Sequence, residues 1–196
     1  MRLFHVSEES NIAIFNPRIP ERAELDKNVG LVWAIDEKHL PNFLTPRDCP
    51  RVTYHVGENT SSQDKEIYFT SPDIQHVVII ESTWFKTMKN TCLFLYEFNP
   101  EGFELQDNVA GYYVSKVAQI PIAKYIINDL FAALFERNVE LRVIKNLWSI
   151  SDRMKETTLS WSLCRMRNAQ PLPNVCSFKQ TTEKMILYEE EKDDEV

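Results

Sequence analysis

The sequence predicts an α+β fold: a strand-rich single domain in which two small mixed or antiparallel sheets carry helices inserted between their strands. Three observations predict it. The chain has 196 residues, 43% of them hydrophobic and 26% charged, which suffices for one sizeable core and falls short of two domains. Aromatic residues reach 11% while glycine occurs only four times, a composition of packed strands rather than of linkers. No internal repeat and no separating linker interrupts residues 1–170. Residues 171–196 read as a flexible acidic tail.

Runs rich in Val, Ile, Phe, Tyr and Trp predict strands over 2–6, 29–35, 51–56, 75–80, 91–98 and 112–120. The stretches 76–80 and 92–96 are almost continuously apolar, which predicts central strands covered on both faces. Short helices are expected over 8–15, 36–43, 62–69 and 81–88. Rigid loops or turns separate them at Asn16-Pro17-Arg18-Ile19-Pro20 and at Asn99-Pro100-Glu101-Gly102. A longer helix is expected to start at Pro121, a favoured first helical position, and to run through Ile126, Leu130 and Leu134 to Asn138. Val139, Leu141 and Val143 alternate with Glu140 and Arg142 as a half-exposed strand, and a last helix follows Asn146 to about Thr157.

The formal charge of -7 sits mainly at the end of the chain, since residues 189–196 hold six carboxylates and one lysine. The body is therefore near -2 and gives no indication of nucleic-acid binding. Cys49, Cys92, Cys164 and Cys176 are widely spaced without a C-x-x-C pair, so free thiols are expected. No signal-peptide core and no run of about 18 apolar residues occurs. The expectation is a cytoplasmic protein that makes no use of a membrane.

Gly30, Gly57, Gly102 and Gly111 are all isolated, which excludes the glycine-rich phosphate cradles; H-E-x-x-H and G-x-S-x-G are both missing. Asp36-x-x-His39 and His55-x-x-Glu58 each set a carboxylate near an imidazole. Neither segment supplies a third ligand, so the reading is surface charge pairs with no metal expected. The same residues frame a small hydrolase, with His5 or His55 working beside Asp36 or Glu58 as an acid and base pair.

His5 lies inside the apolar run Leu3-Phe4-His5-Val6 with Ser7 next to it, either as a functional imidazole or as a buried one bonded to backbone. In Thr45-Pro46-Arg47-Asp48-Cys49-Pro50-Arg51, two prolines stiffen a loop whose arginines suit phosphate or carboxylate, unless they only solvate the surface. Cys49 between them is expected to have a lowered pKa. The tryptophans, with Tyr112 and Tyr113, serve packing or stack on a base or nicotinamide.

The stretches MRLFHVSEESNIAIFNPR, GLVWAIDEKHLPNFLTPRDCPRVTYHVGE and GYYVSKVAQIP resemble an uncharacterised bacterial family of small cytoplasmic proteins. That resemblance spans about residues 1–170 and implies no activity. Shorter pieces are similar to the ADP-ribosyltransferase-like fold. Leu3-Phe4-His5-Val6-Ser7 matches a first strand bearing a histidine and a hydroxyl, Leu31-Val32-Trp33-Ala34 matches a second bearing an aromatic residue, and 112–121 matches the third by position. The resemblance implies a cleft for NAD or a related nucleotide, with His5 and Gln119 in the catalytic positions. It assigns Ser7, Trp33 and Tyr113 to the cofactor and Arg47 or Arg51 to its phosphates. If the chain is an enzyme, it would by this likeness be an ADP-ribosyl transferase. The third strand, however, offers Ser115 and Gln119 where the family carries a glutamate, and glutamine is no base near neutral pH. The alternative is a non-enzymatic module that meets a protein partner through the arginine loop and the acidic tail.

Overall fold

A computed structural model describes residues 1–20 and 26–172. Among the described residues, ten strands form two sheets. The larger is antiparallel throughout and holds β1 (Leu3–Ser7), β2 (Val32–Asp36), β5 (Leu93–Phe98), β6 (Glu104–Asp107), β7 (Tyr112–Ser115) and β8 (Ala123–Ile127), in the order β6-β7-β2-β1-β5-β8. The smaller holds β3 (Arg51–His55), β4 (His76–Glu81), β9 (Val139–Ile144) and β10 (Ser160–Cys164), in the order β10-β3-β4-β9. Its one parallel pairing joins β4 to β9. The α+β class read from the sequence is therefore the observed one.

Three apolar layers follow from the period-2 alternation of side chains along strands. Between the sheets, Phe4, Ile35, Leu93 and Leu95 of the larger meet Val78, Ile80 and Val139 of the smaller, with Leu130, Ala133 and Leu134 filling the gap. The far face of the smaller sheet packs Val52, Tyr54, Val77 and Ile79 against Leu147, Met154 and Leu159. The far face of the larger sheet packs Leu3, Val32, Ala34, Tyr96 and Phe98 around Phe15. As their apolar runs predict, β4 is buried along its whole length and β5 lies inside its sheet.

The helices are α1 (Ser62–Tyr68), α2 (Phe85–Asn90), α3 (Leu130–Phe135) and α4 (Trp148–Met154). The helix expected over 62–69 forms, capped by Ser61, whose side chain accepts from the Asp64 N–H. The helix expected from Pro121 is corrected: residues Ala123–Ile127 form β8 instead, paired with β5. Lys124-Tyr125-Ile126-Ile127 is β-branched and aromatic enough for an edge strand, and pairing satisfies the open edge of β5 that a helix would leave bare. The helix begins only after Asp129, which accepts from the N–H groups of Phe131 and Ala132.

Residues 8–15 are not helical either. They cross the outer face of the larger sheet and join Phe15 to Gln119 through two backbone hydrogen bonds of 2.8 and 2.9 Å. The stretch 36–43 is a turn followed by the 3-10 segment Leu40–Phe43. The sequence predicts neither β6 nor β10. The acidic tail beyond residue 172, with Cys176, lies outside the described residues.

Replacing Asp129 by Ala should lower stability by about 1 kcal/mol by leaving two helix N–H groups uncapped, measured as a shift of the urea midpoint at unchanged slope.

Candidate functional site

The sequence places a histidine at the last residue of β3 and another at the first residue of β4. These strands pair antiparallel with His55 opposite His76, so register alone sets two imidazoles side by side on one sheet face. That face is the one carrying Val78 and Ile80 toward the layer between the sheets. The rings stack with centroids 5.3 Å apart. From the other sheet, the turn after β2 delivers His39, whose ring meets His55 edge-on at 4.9 Å. Three of the four histidines in the chain thus form one column at the mouth between the sheets.

Hydrogen bonds fix both ends of the column. Asp36, the last residue of β2, accepts from the His39 backbone N–H at 2.8 Å and from Nδ1 at 2.7 Å. A carboxylate acceptor requires the proton on Nδ1, which leaves Nε2 as the lone-pair nitrogen when the ring is neutral. Burial pushes the Asp36 carboxyl up, but the bonds from the His39 ring and backbone outweigh it and hold the group below the usual range. At the other end, His76 Nε2 donates to Asn42 Oδ1 at 2.8 Å. Asn42 also receives Arg51, whose Nε donates to the Asn42 carbonyl at 2.5 Å. Gly111 closes over the pair formed by Asp36 and His39. Its φ is +68°, and a Cβ there would overlap the His39 ring and approach Asp36, so only glycine leaves the dyad in place.

The column opens on a cleft of about 580 Å³. Its walls are Glu37, Lys38 and Pro41 after β2, His55 and Val56 at the end of β3, Gln75 and His76 at the start of β4, Glu136 and Arg137 between α3 and β9, and Val139 at the start of β9. Burial is the largest influence on both lining histidines. It lowers His55 to about 4, with His39 and Lys38 adding repulsion and Asp36 opposing it. It lowers His76 to about 3, with further repulsion from His55, His39 and Lys38. Both rings are neutral at neutral pH. Among the described residues no group of three or more His, Cys, Asp or Glu side chains is placed to hold a metal ion.

The residues implied by the nucleotide resemblance are placed differently. His5 and Gln119 stand on the outer face of the larger sheet, both against Phe15: the His5 ring lies 4.8 Å from the Phe15 ring, and Gln119 bridges Phe15 through backbone. His5 Nδ1 bonds the Trp33 carbonyl at 2.9 Å, and burial is the main cause that holds its pKa low. The Gln119 amide donates to Ser115 Oγ at 2.8 Å, and Tyr113 packs on the same face. The Trp33 ring, however, lies on the opposite face, edge-on to Tyr112 at 5.4 Å, because it follows Val32 and precedes Ala34 in strict alternation. His5, Trp33 and Gln119 are not gathered on one concave surface.

Ser7 Oγ accepts from the Glu9 N–H at 3.0 Å in a local turn. Arg47 is exposed, its backbone N–H held by Glu8. Arg51 is corrected from a surface grip to a structural one, since its guanidinium is buried on the carbonyls of Asn42 and Cys49 and over the Phe43 ring. Cys49 is corrected likewise. Burial, reinforced by Glu81, pushes its thiol up to about 12 despite Arg51, so it is no nucleophile near neutral pH.

In the sequence, Asp36 with His39 and His55 with Glu58 read as separate pairs, and His76 reads as part of an apolar strand. The structure instead joins Asp36, His39, His55, His76 and Asn42. The one available signal was that His55 ends a strand and His76 begins another, which becomes a contact only once β3 and β4 are known to pair.

The family profile of a family of unknown function, DUF6886, matches residues 4–169, and the chain belongs to that family. No curated protein matches the chain. No solved structure matches it either. No helix among the described residues is long and apolar enough to cross a membrane.

The lowered values of His55 and His76 fix a pH dependence. Unfolded histidine titrates near 6.5, so below that pH the unfolded chain takes up protons that the folded chain refuses. The stability contributed by the neutral rings is complete above about pH 6.5 and drains away as pH falls toward 4 and then 3. The loss should be up to roughly 1.4 kcal/mol per pH unit for each ring. Urea midpoints measured from pH 7 to 4 should fall for the native chain and fall less for His76→Gln. A flat native profile would contradict neutral burial.

Proposed function

We propose that the chain is a small acid–base enzyme, a hydrolase acting on a small molecule bound in the cleft, with His55 as the group that handles the proton. The observation that carries this reading is the pairing of two neutral imidazoles on the cleft wall with a carboxylate-bound histidine directly behind them. A neutral His55 takes a proton from water as the water oxygen attacks the scissile bond, then hands that proton to the leaving group and returns to its starting form. Asp36 favours the transient imidazolium by its charge, the direction in which it already acts on His55. His76, fixed by Asn42, keeps its Nδ1 lone pair to receive a hydrogen bond from substrate or water.

Cleft size supports a small-molecule substrate, because pockets of several hundred Å³ suit drug-sized ligands and not macromolecules. A screen of ester, amide and phosphoester substrates on the purified full chain tests the reading. For the substrate that turns over, His55→Gln should reduce kcat/KM by about 10²- to 10⁴-fold, the usual range for loss of a positioned base. In the native chain kcat/KM should rise as pH rises through about 4 and then level. Activity that survives loss of both His55 and His76 would remove the proposal.

A second reading, binding of NAD or a related nucleotide, has one observation in its favour. His5 and Gln119 share a sheet face around Phe15, and Arg18 and Arg47 are close enough to His5 to oppose its protonation, which leaves positive charge for a diphosphate. Saturating NAD or ADP-ribose should then raise the melting temperature by mass action, and Arg47→Ala should weaken the effect. An unmoved melting curve ends this reading.

A further inference from the structure

We infer that the histidine cleft takes its substrate by a phosphate group, gripped by Lys38 and Arg137, two cations of its lining. This rests on the acid–base reading of the same cleft and adds the substrate class to it. Lys38 follows β2 and Arg137 follows α3, so the two cations reach the cleft that His55 and His76 line from separate elements of the fold. Both are exposed, and neither forms an ion pair among the described residues.

The wall carboxylates do not cancel them. Glu37 is already taken by Arg2, at 2.7 Å, which leaves Glu136 as the single unpaired anion facing two cations. Arg137 is also held in place, because its Nη1 donates to the Ala133 carbonyl at 2.7 Å. One edge of the guanidinium is anchored while its remaining N–H donors have no hydrogen-bond partner among the described residues. The positive potential of Lys38 reaches both lining histidines and works against their protonation. An anion seated between the cations offsets that potential.

Geometry favours phosphate over a lone carboxylate. A tetrahedral dianion offers oxygens in several directions, matching a point-charge ammonium on one side and a planar guanidinium fork on the other. It still leaves an oxygen for the ring of His55. A carboxylate has one plane and one charge, which a single cation satisfies.

The test is a titration of the full chain with inorganic phosphate at constant ionic strength, followed by NMR of the histidine ring resonances over a range of pH. The expected result is a saturable shift of the His55 and His76 resonances that leaves His5 unmoved, with the apparent pKa of His55 raised, since a nearby anion favours the imidazolium. Lys38→Ala and Arg137→Ala should each weaken phosphate binding by about tenfold, the loss expected for one charge-assisted contact. The double variant should abolish it. Both residues are exposed, and far-UV circular dichroism verifies that the variants stay folded.

No saturable shift at millimolar phosphate overturns the inference, as does binding undiminished in the double variant. An equal response to acetate or chloride at matched ionic strength also overturns it, showing general anion screening instead of a phosphate grip. His55→Gln separates this inference from the acid–base reading. Phosphate binding retained with turnover lost supports both, phosphate binding lost in the native chain while turnover is present ends only the phosphate assignment, and turnover retained in His55→Gln ends only the assignment of His55 as the base.

Discussion

Strand β4 has water on neither face, and the two ends of its burial shape everything around it. Val77 and Ile79 fill the layer beneath α4, while Val78 and Ile80 fill the layer between the sheets. Such a strand is stabilised by apolar burial of roughly 1.5–3 kcal/mol per large side chain, but polar residues at its ends must find partners inside the protein. Glu81 is wholly buried and receives the N–H groups of Leu147 and Gln170. His76 donates to the Asn42 side-chain oxygen. The first arrangement ties residues 146–171 to the body, with Asn146 and the Trp148 indole also bonded to the carbonyls of Gln170 and Pro171. The second arrangement creates the histidine column.

The column follows from the same constraint. Pairing β3 to β4 with His55 opposite His76 stacks two rings at a place where charge is disfavoured, and the turn after β2 adds a third. Three imidazoles in a row, each touching the next, cannot all be protonated without repulsion at short range. The fold therefore keeps the lining rings neutral and puts its charges elsewhere: on Asp36 at the back, and on Lys38, Glu136 and Arg137 at the rim. Neutral rings between a half-buried carboxylate and exposed cations form a graded electrostatic surface.

Alternation and pairing tie several of the candidate residues into the fold. The arginine loop presents Arg47 to solvent yet turns Arg51 inward, where carbonyls of the preceding turn satisfy it. His5 spends its Nδ1 on the Trp33 carbonyl, so these two residues are joined through backbone although their side chains face opposite ways. Periodicity misled most at Pro121. Ile122, Ile126, Leu130 and Leu134 do fall at helical spacing, but the first two stand exposed at and beside an edge strand, whereas the last two are buried in α3. A helical stripe read across a strand boundary carries no information about either element.

What the sequence determined by itself was the α+β class, the positions of the strands that are apolar on both faces, and the presence of titratable groups near strand ends. Local composition and alternation encode these directly, since each depends only on neighbours along the chain. Tertiary structure alone decided which of those groups meet. Asp36 and His39 are neighbours in sequence, but His55 and His76 are brought together only by the antiparallel register of β3 and β4, and His39 reaches them only because the two sheets pack face to face. Contacts between residues 16 to 34 positions apart depend on strand pairing and sheet packing, which no local pattern records.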